Sequence, residues 1–143
     1  MKKFFPILSL VLGGCVAQYQ APTGQPTASL SFSHIDGGVA EYSFLPTAGE
    51  CSNSQFIGNI GPGFPLKGVL NAENNIVPAN QEFGILIHII QPGYPYATIP
   101  CKHHVTLELK EEESYMLQTD MKSCAASFGK VGHTVEPIKS SGC

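Results

Sequence analysis

Tryptophan and arginine are absent from this sequence, and only 13% of its residues are charged. Without arginine the chain lacks the forked donor suited to phosphate and carboxylate recognition. Its net charge of −3 is the wrong sign for the basic surface that nucleic acid requires. No serine sits in a G-x-S-x-G elbow, no cysteines stand as C-x-x-C, no histidines as H-x₃-H, and no aspartates as D-x-D-x-D. Nucleophilic hydrolysis, zinc binding and an EF-hand type of calcium loop are therefore not written in the chain. Beyond the first fifteen residues, no apolar stretch approaches the ~18 residues of a membrane-spanning helix. These absences argue against an enzyme, and no cofactor is expected.

What is present begins at the amino terminus. Met1, Lys2 and Lys3 precede "FFPILSLVL", and the run stops on Gly13, Gly14 and Cys15. A charged start, a short apolar stretch and small residues are the pattern of an export signal, too short to span a bilayer of ~20 residues. The order Leu12-Gly13-Gly14-Cys15 resembles the lipobox of bacterial lipoproteins at all four of its positions. The resemblance implies cleavage after Gly14 and acyl chains on Cys15. Each buried CH₂ would stabilise membrane attachment by ~0.8 kcal/mol. Residues 15–143 then carry six lysines against eleven carboxylates, a net charge of −5. A valine rather than an aspartate follows Cys15, which by analogy with lipoprotein sorting in enteric bacteria permits transfer to the outer membrane.

Export also bears on the sulfurs. With Cys15 acylated, Cys51, Cys101, Cys124 and Cys143 remain, an even number in an oxidising compartment, so two disulfides are expected. Four cysteines allow three connectivities. Strand register favours Cys101 with Cys124, leaving Cys51 for Cys143.

That register comes from "CKHHVTLELK" (101–110), where Cys101, His103, Val105, Leu107 and Leu109 share one face. "EEE" (111–113) turns the chain into "SYMLQTD". Read as a hairpin, Leu109 opposes Tyr115, Leu107 opposes Leu117 and Val105 opposes Thr119, and a β-bulge near Lys122 or Ser123 brings Cys124 to Cys101. The loop-entropy model gives such a bond ~3 kcal/mol.

Elsewhere "SLSFS" (29–33) and "VAEYSF" (39–44) alternate with period two around a turn at 33–38, the pattern of a hairpin or of neighbouring strands. "KGVLN" (67–71) reads as a short strand. Within 76–90, Ile85, Ile87 and Ile89 line one face and Leu86, His88 and Ile90 the other, a strand covered on both sides. Further strand character falls near 124–131 and 133–138. The reading is an all-β antiparallel sandwich of about six to eight short strands. Residues 1–14 form the signal, 15–27 a flexible tether with a reach on the order of 20 Å, and 28–143 the domain.

A central Cys, "VTLEL", "SYML", a second Cys and a terminal Cys after "VEPIKSSG" give residues 28–143 their outline. This is similar to the small cysteine-stapled, immunoglobulin-like lipoproteins of Gram-negative bacteria, without the tryptophan of true immunoglobulin cores. The resemblance implies a non-enzymatic envelope protein with a structural or protein-binding role. Alternatives are an accessory lipoprotein of a secretion or pilus machine, or an inhibitor of a periplasmic hydrolase such as lysozyme.

Candidate contact residues lie in "NIGPGFP" (59–65) and "QPGYPYATIP" (91–100), where Phe64, Tyr94 and Tyr96 sit among prolines and glycines. Proline lowers the ordering cost of a loop, and tyrosine is favoured at interfaces. His34, His88, His103, His104 and His133 are read as satisfied or half-exposed rather than metal-binding, since the neighbours His103 and His104 point to opposite faces.

Overall fold

The structure, a computed structural model, describes residues 17–35, 39–60, 75–90, 101–120 and 122–140, with only the backbone of His34, Ile35 and Ile90. Period-two alternation builds its strands. In β1 (Thr27–Ile35), Leu30 and Phe32 point inward and are buried between serines, while in β2 (Val39–Leu45), Ala40, Tyr42 and Phe44 do the same. β3 (Gln55–Ile60) follows a single 3₁₀ turn at Cys51–Asn53. β4 (Asn75–Pro78) and β5 (Glu82–Ile90) are separated by Ala79–Gln81, where Asn80 takes a positive φ of 58°. β6 (Cys101–Glu108), β7 (Ser114–Asp120), β8 (Ala125–Lys130) and β9 (Glu136–Ile138) complete the nine strands of the described residues.

These strands form two sheets, ordered β4-β1-β7-β8-β9 and β3-β2-β5-β6. Their inner faces share one core. Leu30, Phe32, Val77, Tyr115 and Leu117 come from the first sheet, and Tyr42, Phe44, Phe83, Ile85, Ile87, Ile89, Val105 and Leu107 from the second. Phe32 and Tyr42 meet across the gap with ring centroids 4.3 Å apart. Each such side chain stabilises the fold by roughly 1.5–3 kcal/mol through removal from water. The all-β sandwich read from the sequence is therefore the fold.

Two expected hairpins are not formed. β1 and β2 lie in different sheets, and so do β6 and β7. Period two assigns side chains to faces but not strands to partners. Leu107, Leu117, Val105 and Thr119 are all buried as expected, yet they stand on two sheets rather than side by side in one. The chain leaves the second sheet at Leu109, whose carbonyl accepts Asn80 N–H at 2.7 Å. Glu112 N–H then donates to Thr27, and Ser29 N–H to Glu113. These bonds deliver β7 alongside β1 in a parallel register from Ser29↔Ser114 to Ile35↔Asp120. This one parallel pair departs from the fully antiparallel expectation.

The run 76–90 also splits: β4 belongs to the first sheet and β5 to the second. Ile85, Ile87 and Ile89 are fully buried, but on the other face Leu86 and His88 are only half-covered and burial is reached at Gly84, so β5 is sealed along one face and at one end of the other. The expected strand at 67–71 lies outside the described residues.

Candidate functional site

Two places in the described structure bring chemistry together. The first is the bond between the sheets. Cys101 opens β6, inward-facing and buried, and Cys124 closes the 122–124 turn between β7 and β8. They form a disulfide with Cα atoms 5.9 Å apart. The expected pairing is thus found, for a different reason. No bulge within one sheet is involved; the bond crosses the sandwich. Cys51 is disulfide-bonded as well, while Cys15 and Cys143 lie outside the described residues.

His103 stands two residues from Cys101 and so on the same face of β6. Its Nε2 donates to the Cys124 carbonyl and lies 3.4 Å from Cys124 Sγ, while its buried Nδ1 has no partner. The donor atoms of Cys101, His103 and Cys124 all fall within 4.8 Å of one another. With the sulfurs joined, neither offers the thiolate that a metal ion needs. His88 is not part of this group. It pairs with Lys102 while His103 pairs with Ile87, which puts the two histidines on opposite faces. His88 instead lies 3.4 Å from Glu41 at the surface. His104 is buried on the outer face, where its Nε2 accepts Gly49 N–H at 3.4 Å and its own N–H donates to Ser140 Oγ.

The second place is an open cleft of about 230 Å³ at one end of the sandwich. Residues 17–26, read from sequence as part of the tether, form one of its walls. Tyr19 N–H donates to Phe56 and Phe56 N–H to Ala17, which lays this segment along the edge of β3. The Tyr19 ring packs 4.8 Å from Phe44, and its hydroxyl donates to the Ile76 carbonyl on the other sheet at 2.7 Å. Burial pushes the Tyr19 phenol up to about 12. Tyr19, Phe44, Pro22, Pro46 and Pro78 give it apolar surface, and Gln20, Gln25, Gln55 and Gln81 supply the polar groups. Among the described residues, no carboxylate, lysine or histidine lines it. Such a surface offers paired amide donors and acceptors beside apolar faces, a match for uncharged polar groups rather than ions.

A smaller polar network holds the turn after β6. Lys130 Nζ donates to Glu113 Oε1 at 2.6 Å, Tyr115 hydroxyl donates to Glu113 Oε2, and Lys110 N–H donates to the Tyr115 oxygen at 3.2 Å. The Lys130 contact, then the Tyr115 one, hold the Glu113 carboxyl below its usual range. Of the acidic triplet 111–113, Glu113 alone is engaged in this way among the contacts described.

Phe64, Tyr94 and Tyr96 lie outside the described residues. Sequence reasoning missed the cleft. Its one signal was Tyr19, a lone aromatic in an otherwise small and polar stretch. Against models of known protein families, curated proteins and solved structures, the chain matches none.

Proposed function

We propose that this protein is a lipid-anchored, non-enzymatic envelope protein that presents its sandwich as a protein-binding surface. The anchor reading rests on the four-position lipobox ending at Cys15, and the oxidised state of Cys51, Cys101 and Cys124 accords with an exported chain. The observation that carries the binding role is the cleft lined by Tyr19 and Phe44. Its four glutamines can satisfy the N–H and C=O groups of an extended peptide, and its prolines and aromatics can cover apolar side chains. A site so composed binds by shape and hydrogen bonding, without dependence on charge.

In-cell cross-linking tests this. A photoreactive residue at Gln55 or Gln81 is expected to capture one envelope protein reproducibly. The paired substitutions Gln20→Glu and Gln25→Glu, which bring unpaired negative charge into the cleft, are expected to reduce capture at least tenfold. Capture that is indifferent to those charges would place the contact elsewhere, and no capture at all would oppose the binding role.

A further inference from the structure

The Cys101–Cys124 bond has a polarity. Cys101 is only 7% exposed and faces the core, whereas Cys124 sits half-buried in a turn. Of the two residues Cys124 is the less covered, which makes its sulfur the one for an incoming thiolate to attack. Cys124 also holds a φ of +57°, the left-handed region that a side chain adopts only at a cost. Beside it, His103 Nε2 carries a proton, because the Cys124 carbonyl it contacts can only accept. That same N–H is 3.4 Å from Cys124 Sγ. A disulfide sulfur is a poor acceptor, but a thiolate formed at that spot would take this hydrogen bond strongly.

We propose that Cys101–Cys124 is an exchangeable redox couple, with Cys124 the attacking sulfur, Cys101 the resolving one and His103 Nε2–H the donor that stabilises the Cys124 thiolate. In the reducing direction the electrons come from a dithiol. One of its thiolates bonds to Cys124 Sγ, the Cys101–Cys124 bond breaks, and Cys101 leaves as a thiolate that takes a proton from solvent. The second thiolate of the dithiol then attacks its own sulfur in the mixed disulfide. Cys124 is released as a thiolate onto His103, and the dithiol departs oxidised, two electrons poorer. In the reverse sequence the Cys124 thiolate attacks an external disulfide and expels one of its sulfurs as a thiolate. The Cys101 thiolate then attacks Cys124 Sγ and expels the other, and this bond re-forms as the disulfide departs reduced to a dithiol.

The ionisable groups nearest in the chain leave His103 as the principal donor. Asp120 is occupied with the N–H groups of Lys122 and Ser123, Lys122 is exposed on the turn, and Lys102 is exposed on the opposite face of β6. The arrangement is less suited to a metal. A ligating imidazole ordinarily donates its other N–H to a partner, and His103 Nδ1 has none.

The test equilibrates the native full-length chain with reduced and oxidised glutathione, without denaturant, and maps the alkylated peptides. Two glutathione thiols take the place of the dithiol. Reversible opening of Cys101–Cys124 in the folded protein is expected, with glutathione trapped on Cys124. In a Cys101→Ser background, iodoacetamide should modify Cys124 at pH 7 at least tenfold faster with His103 present than with His103→Phe. A bond that resists reduction until the protein unfolds would overturn the proposal, as would glutathione on Cys101 or equal alkylation rates. Should Cys101→Ser not fold, the redox titration of the unaltered chain decides alone.

Discussion

Tyr42 and Thr119 are both fully buried and hydrogen-bond to each other across the sandwich, oxygen to oxygen at 2.9 Å. A buried hydroxyl without a partner costs about 1–3 kcal/mol, so Tyr42→Phe should destabilise the protein by that amount at neutral pH. Tyr42→Phe combined with Thr119→Val removes both hydroxyls and should return stability to within about 1 kcal/mol of the parent, read from urea midpoints. Burial pushes the Tyr42 phenol up to about 12, with the Thr119 bond acting weakly in the opposite direction. The unfolded phenol ionises near pH 10. Between those values the unfolded state holds fewer protons than the folded one, so stability is complete below about pH 10 and falls as pH rises toward 12. Tyr42→Phe should therefore lose less stability over that interval than the parent does.

Strands and their inward faces could be read from the sequence; strand partners could not. Leu30, Phe32, Tyr42, Ile85, Val105 and Leu117 announce themselves by alternation, because one face of each strand must leave water. Nothing local distinguishes a hairpin from two strands that part into opposite sheets. That choice rests on contacts such as Asn80 to Leu109 and Glu112 to Thr27, between residues far apart in sequence. The same long-range logic buries His104, which alternation places outward with Lys102 and Thr106. Gly84 shows how tightly that covered outer face is filled. A Cβ there would lie 2.8 Å from His104 Nε2 and 3.0 Å from Leu45 Cβ. Leu45 is fully buried and His104 nearly so. Gly84→Ala is thus expected to cost about 1–3 kcal/mol through overpacking, seen as a lowered urea midpoint with unchanged slope.

Taken whole, the molecule is a two-sheet body fastened in more than one way: by a shared core, by the Cys101–Cys124 bond and by the Tyr19 segment, which hydrogen-bonds to Phe56 on one sheet and Ile76 on the other. That the sulfurs pair could be anticipated from cysteine number, whereas the choice of Cys124 for Cys101 rests on a hairpin register that the two sheets do not form. The cleft could not be anticipated, since it needs residues from four separate stretches to converge. Residues 17–26 also place that cleft close in sequence to Cys15, so an acylated Cys15 would hold the binding end near a membrane surface. The proposed role therefore stands on the chemistry of that one residue. Mass spectrometry of the amino-terminal peptide from membrane-extracted protein tests it directly. The account predicts a chain that begins at Cys15 and carries acyl groups there. A chain still bearing residues 1–14, a bare Cys15, or Cys15 joined to Cys51 would contradict it.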